Sequence, residues 1–517
     1  VGVGLSGNTI TADLTASLAG STVVDAGLVS LQATNDRTIR SLGGGVAGSG
    51  KGAGGFAATL NLLIANDTTV DLDGADISTR AGDITATTEA TGKIETLAVA
   101  VSASGSSAIG GSATVNVSTG ATRVTANNAR LAAGGSLTLS ATDDLTINSL
   151  AGAAALALGG AGVGAAIAAN VIANDTLVAA NNARLSSRTG GLSLLATNDS
   201  GIKSTAVGLS VSDQTAVSGS VAIGYIGNET RVTAAGTSLF AGTEAVPASG
   251  GQPAIAANPQ GITLAANKTS TIQILSGAAA ASGNTAVGAA ISIAVIQDTV
   301  TSDLVASARV FGGTLNVTAT NAATIDAIAG AGGAAFANAV GGSFVYTQIG
   351  KPPAAGPSIP ASSTPAASEP AASEPAADEP AADEPAADEP ASDETDDPIG
   401  DGVDRVEDER DAALAALRSR GGYNSPLNLS ATDDITRARV ALSASDVDVA
   451  GIEIAANETS TIRSLAGTVA VGGNAGVGVG IGVNLLFGRT EAELIIPEGV
   501  TARTNGADVR VAATQTG

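Results

Sequence analysis

One short phrase, an isoleucine followed three residues later by a leucine, an isoleucine or, in one copy, a threonine, recurs along this chain. Its copies begin at Ile39, Ile94, Ile147, Ile202, Ile272, Ile325 and Ile462. Successive spacings among the first six are 55, 53, 55, 70 and 53 residues, and the longest contains an extra stretch near residues 245–260. Removing about sixteen residues from that stretch restores a period of roughly 54, which is the sequence signature of a repeat architecture. In such folds each unit buries its apolar face mainly against its neighbours.

Each repeat has the alternation of a β-strand followed by a longer run of small residues. Leu137, Leu139 and Ala141 alternate with polar residues, which predicts a strand with one inward face. The run that follows, for example residues 149–172, has Gly159-Gly160 at its middle, and other copies have similar turn residues there. We therefore interpret it as strand, turn and strand, a Gly/Ala-rich hairpin.

The second strand of this hairpin separates large from small side chains. Val163, Ile167 and Val171 share one face, whereas Gly162, Gly164, Ala166 and Ala168 lie on the other. A face so bare can approach a second layer closely, either another sheet of the same chain or a neighbouring molecule. We expect the recurring Asn-Asp-Thr triplets, as at residues 174–176, to lie at corners, where side chains bond turn amides.

Composition favours an all-β solenoid, similar to a β-helix, over an ordinary globular domain. Hydrophobic residues make up 44% of the 517 residues, yet aromatic residues make up only 2%, and there are 67 glycines. A globular core relies on aromatic side chains for much of its buried area. The alternative of a membrane helix at residues 149–173 is disfavoured, because glycine clusters oppose helices and another copy has Asp213 there.

The repeats are interrupted once. We predict solenoid repeats over residues 1–350, a low-complexity insertion over residues 351–425 and further repeats over residues 426–517. The insertion contains a five-residue proline repeat, and residues 369–411 include 18 acidic and 2 basic residues out of a chain net charge of −24. Regular proline with charge predicts an extended, disordered segment. A short helix is predicted near residues 403–420.

Catalytic, cofactor-binding and metal-binding residues are all predicted to be absent. The chain has no His and no Cys, which removes the commonest general base, the thiol nucleophile and the soft metal ligands. Gly45 to Lys51 matches a phosphate-binding loop, but Gly52 stands where Ser or Thr should bind Mg²⁺. Pairs such as Asp143-Asp144 and Asp433-Asp434 are interpreted as turn residues rather than calcium ligands. A negative chain with few aromatics does not predict nucleic-acid binding.

Two phrases resemble known repeats. Gly135 to Asp144 (GSLTLSATDD) and Ala161 to Asn170 (AGVGAAIAAN) are similar to repeats of large bacterial surface adhesins, the filamentous haemagglutinins and leukotoxin-type filamentous adhesins. This resemblance implies a right-handed β-helix, a role in attachment or cell-cell contact, and a location outside the cell or at the outer-membrane surface. It also implies a receptor or glycan on a host or neighbouring cell as partner, and export of the parent protein through an outer-membrane transporter or barrel.

Two other functions are compatible with the repeats. The chain could be a self-assembling layer or filament that packs through its Gly/Ala faces, or a β-helical carbohydrate-active enzyme. The enzyme would need a non-repeated cluster of acids, arginines and aromatics, which the sequence does not display. We also expect the repeats to continue beyond residue 517, because Asp508 to Thr514 repeats the phrase that precedes each new isoleucine. No secretion signal is recognisable at Val1 to Leu5.

Overall fold

The structure is a computed structural model that describes residues 1–247, 256–306, 309–351, 435–442, 447–504 and 506–517. The chain divides into two compact units, and the described residues belong to the unit formed by Val1–Pro352 and Ser430–Gly517. The predicted insertion, apart from Lys351, and its predicted helix at residues 403–420 lie outside the described residues. Within those residues there is no helix and most of the chain is strand, so the all-β prediction is confirmed.

The strands of the described residues form two large sheets. Sheet A contains β1 (Gly2–Ile10), β2 (Leu14–Ser17), β5 (Gly52–Leu63), β6 (Thr68–Asp71), β9 (Ser107–Thr125), β12 (Ala161–Asn181), β15 (Thr215–Ile226), β16 (Glu229–Ala235), β20 (Thr285–Ile296), β21 (Thr299–Ala306), β23 (Asn338–Ile349), β24 (Thr436–Leu442), β26 (Ala475–Leu486) and β27 (Thr490–Ile495). Sheet B contains β3 (Thr22–Ala26), β4 (Val29–Ser49), β7 (Asp76–Thr79), β8 (Ile84–Ser104), β10 (Arg130–Ala133), β11 (Leu137–Ala157), β13 (Arg184–Ser187), β14 (Leu192–Ser212), β17 (Ser238–Thr243), β18 (Asn258–Pro259), β19 (Ile262–Ser282), β22 (Val310–Ala335), β25 (Val447–Gly472), β28 (Ala502–Arg503) and β29 (Val509–Thr516).

Strand pairing follows the repeated phrases. Ile147 in β11 pairs with Ile94 in β8 and with Ile202 in β14, and the pairing is parallel along the whole of β11. Within the described residues, the β17–β18 contact is the one antiparallel pair. We call one repeat of the chain, from one isoleucine phrase to the next, a coil. Because equivalent residues lie side by side, each inward apolar residue stacks on its counterpart in the next coil. Parallel sheets of this kind are consistent with a β-helical or solenoid fold.

The predicted Gly/Ala hairpin is wrong in one respect. The strands before and after the turn at residues 158–160, β11 and β12, belong to different sheets and do not pair with each other. The chain therefore turns from one layer into the other as an arch. The physical reason is the small-residue face of β12, which lets the two layers lie face to face. A Cβ atom built on Gly164 would lie 2.1 Å from the backbone oxygen of Leu209 in sheet B.

The Gly/Ala face of β12 is therefore covered by sheet B of the same chain. Ala166 and Ala168 of β12 are buried with Ala151 and Ala153 of β11 in one cluster. The small residues thus pack between two sheets of the same chain, and we call this thin two-layer region the arm. Larger residues on the same strand point outwards. Ile167, for example, is 46% exposed.

A second, thicker core lies at the other end of each coil. It contains Leu131, Leu137, Leu139, Val178 and Leu185, each with no exposed surface. Burying a side chain of this size contributes roughly 1.5–3 kcal/mol. The corner between β12 and β13 is made by Asn182, which has a positive φ of 52°. Asparagine adopts this left-handed conformation more readily than most residues, so the chain can turn sharply there.

Candidate functional surfaces

The outward side of sheet B changes character along each long strand. In β11 the outward residues from Thr138 to Asn148 are polar, whereas Leu150, Gly152, Ala154 and Leu156 are not. The residues in register with Asn148 are mostly charged, and those in register with Leu150 are mostly apolar. A charged row and an apolar row therefore run side by side across the stacked coils.

The charged row contains exposed ion pairs. Arg40 lies 2.8 Å from Glu95, which also lies 2.5 Å from Lys93. Hydrogen bonds from Lys93 and Arg40 lower the pKa of Glu95 below its ordinary value. Exposed pairs of this kind contribute little to stability. Their charges remain accessible to a partner.

An open groove of about 600 Å³ lies where these two rows meet. Leu42, Leu97 and Leu150 line its apolar side and are 69%, 37% and 42% exposed. Its polar side is lined by Arg40, Glu95, Asn148 and Lys203. The groove crosses four coils, which gives it the size of a small-ligand site but an open, extended form.

Two rows of polar side chains lie inside the coils, and sequence reasoning missed both. One is an asparagine ladder, in which Asn61 donates to Asn116 at 2.7 Å and Asn116 donates to Asn170 at 2.7 Å. Asn170 in turn donates to Ser149 at 2.8 Å. These side chains have 6% of their surface exposed or less. Each amide both gives and accepts a hydrogen bond, so the ladder can extend from coil to coil without charge.

The second row contains charges. It lies between the two apolar clusters, since Asp143 falls between Ala141 of the thick core and Leu145 of the arm cluster. Its buried charged members are Arg37, Asp143, Lys268, Asp298 and Glu458. The signal was present in the sequence, because the alternation from Leu137 to Ile147 places Asp143 on the inward face.

Lys268 and Asp298 are the most completely described part of this charged row. Lys268 Nζ donates to Asn198 Oδ1 at 2.5 Å, and Asp298 accepts from Ser270 Oγ at 2.5 Å. Burial lowers the pKa of Lys268 and raises the pKa of Asp298, while the charge of each opposes the shift of the other. Burial likewise raises the pKa of Asp143 to about 6, against the attraction of Arg37 and Lys268. At most 4% of the surface of Lys268, Asp298 or Asp143 is exposed, so we assign them a role inside the fold.

The described motifs that resemble chemical sites lie wholly or mainly within the sheets. Residues 45–49 of the phosphate-loop match belong to β4, where Gly45 faces Phe56 of the opposite layer, and Gly50 and Lys51 form the turn that leads into β5. Asp143-Asp144 lies in the middle of β11, which shows that the turn interpretation of this pair was wrong. Asp433-Asp434 lies outside the described residues. Across the described ranges, no group of three or more His, Cys, Asp or Glu side chains is placed to hold a metal ion.

Comparison with known proteins adds no family. Neither a protein-family model, nor a curated protein, nor a solved structure matches this chain. In the part of the chain that is described, no helix is both long and apolar enough to cross a membrane. Residues 149–173 instead form the end of β11, a turn and the first half of β12.

Proposed function

We propose that this chain is a structural and adhesive segment of a secreted or surface-displayed bacterial adhesin, built as a β-solenoid of coils about 54 residues long. The observation that carries the proposal is the open groove on sheet B. It offers Leu42, Leu97 and Leu150 beside accessible charges, and it repeats its chemistry over several coils. An extended receptor segment or glycan chain on a host or neighbouring cell is the partner that such a surface fits.

Adhesion can be tested with beads coated with the full chain. We expect the beads to be retained on epithelial or bacterial cells in a flow chamber, and the double variant Leu97→Thr, Leu150→Thr to weaken retention roughly tenfold. Threonine is compatible with the fold at this position, because Thr205 occupies it in the next coil. Loss of these leucines removes the apolar side of the groove.

A matched control lies in the same row outside the groove. Leu275 and Ile328 pair with each other and are 43% and 44% exposed, and the variant Leu275→Thr, Ile328→Thr should leave retention unchanged. Retention of wild-type beads no better than that of uncoated beads would contradict the adhesive role. Turnover of a polysaccharide by the purified chain would instead support the carbohydrate-active alternative.

A further inference from the structure

The outer face of sheet A in the arm is free of charge. Eight strand segments form it: β1, β5, residues 107–118 of β9, residues 161–172 of β12, β15, β20, β23 and β26. None of these segments contains Asp, Glu, Lys or Arg. A chain with a net charge of −24 therefore presents a broad surface with no charged side chain.

Most side chains on this surface are apolar. Ile109, Ile167, Val217, Val340 and Ile481 all point outwards and are between 37% and 50% exposed. They align in register across the strands, and one such line consists of Leu5, Ala58, Ala113, Ile167, Val221, Ile291, Phe344 and Ile481. The inward neighbours Ala166 and Ala168 are already covered by sheet B.

The size of this face exceeds what an isolated protein normally exposes. Nine residues along β1 and twelve along each of the other seven segments give a flat area of about 1,500 Å² at ordinary strand dimensions. The largest apolar patch on a typical monomer is roughly 300–600 Å². A stable protein–protein interface covers about 800 Å² on each partner.

We infer that this face is an interface between two copies of the chain. A second copy presents the same lines of side chains at the same strand spacing, so the two faces match in an isologous pair. Because neither face carries charge, their contact buries no unpaired ion, which would be costly. A lipid surface fits less well, since lipid-binding faces are normally flanked by Lys and Arg that attract anionic headgroups.

The test introduces two opposite charges on this face and leaves the net charge of the chain unchanged. Ile167 and Val221 pair on adjacent strands, so the variant Ile167→Lys, Val221→Glu places an ion pair in the centre of the face. The control is Thr142→Lys, Thr197→Glu, an identical change on neighbouring strands of the polar outer side of sheet B. Circular dichroism and thermal unfolding check that both variants keep the fold.

Sedimentation equilibrium of the full chain at micromolar concentrations gives the readout. We expect wild type and the control to have twice the 49.3 kDa chain mass. The Ile167→Lys, Val221→Glu variant should be monomeric at the same concentration, with a dimer dissociation constant at least tenfold higher than that of wild type. A monomeric wild type would overturn the inference, as would a dimer that the charged variant leaves intact. A monomer that binds phosphatidylcholine vesicles through this face would overturn it too, in favour of a lipid partner.

Discussion

At the scale of single residues, polar side chains are buried inside the coils in two ways, as the asparagine ladder and as the row of charged side chains. The asparagine ladder is neutral, and every described member from Asn8 to Asn170 has a partner in the next coil. Where the ladder stops, Gly224 replaces asparagine and Ile272 and Ile274 fill the space beside it. Apolar side chains of the following coil therefore occupy the space where the ladder has no amide.

The ladder makes a first residue-scale prediction. Asn116→Ala should lower the free energy of unfolding by about 2 kcal/mol or more, because it leaves a buried acceptor on Asn170 without this donor. Asn148→Ala, on the half-buried outer side of β11, should change stability by no more than about 0.5 kcal/mol. Denaturant unfolding of both variants measures the difference. Equal losses would show that the ladder contributes nothing specific.

Asp143 makes a second residue-scale prediction, concerning pH. Burial raises its pKa in the folded protein from 3.8 to about 6, with Asp144 adding to the shift and Arg37, Lys268 and Asn174 opposing it. The folded state therefore binds this proton more tightly than the unfolded state, so the carboxyl group costs stability as pH rises from about 4 to about 6. Above pH 6 the cost is roughly 3 kcal/mol.

Asp143→Asn removes this titration while preserving the shape of the side chain. The variant should match wild type at pH 4 and exceed its free energy of unfolding by roughly 3 kcal/mol at pH 8. Chemical denaturation at the two pH values measures both differences. A variant less stable than wild type at pH 8 would mean that the ionised carboxylate is needed to balance Arg37 and Lys268.

At the scale of secondary structure, the arm depends on glycine where two backbones nearly touch. Gly164→Ala should cost about 1–3 kcal/mol, since its new methyl group would meet the Leu209 backbone. Gly219→Ala is the matched control: it pairs with Ala165, the residue after Gly164, and has open space around it. We expect it to be neutral or slightly stabilising. Thermal unfolding measures the midpoint temperature of each variant. Equal midpoints for Gly164→Ala and Gly219→Ala would contradict the role of close backbone approach at Gly164.

The sequence predicts the elements better than their arrangement. Alternation identified the inward face of Leu137, Leu139 and Ala141, all of which are fully buried. It did not distinguish a hairpin from an arch, because both require a turn at residues 158–160 and differ only in which strands later become neighbours. The interior polar rows were missed for a different reason: Asp143 was interpreted as a turn residue although alternation places it on the inward face, and the partners of Asn170 lie partly in adjacent coils.

At the scale of the whole described unit, the pairing pattern makes a prediction about folding. Strand partners are 53–55 residues apart in most coils, as with Ile94, Ile147 and Ile202. The chain must therefore lose the conformational entropy of a long loop before any of these contacts forms. This entropic cost makes folding slow. We expect refolding after dilution from denaturant to take longer than about a second, in contrast to the micro- to millisecond folding of helical bundles.

Proline isomerisation could produce a slow phase of similar length, since the chain has 16 prolines. A double-jump experiment separates the two, because molecules unfolded only briefly keep their native proline isomers. The slow phase should persist at full amplitude after the shortest unfolding times if non-local pairing sets the rate. Complete refolding within milliseconds under those conditions would show that the coils nucleate through local contacts, which the described strand pairing does not provide.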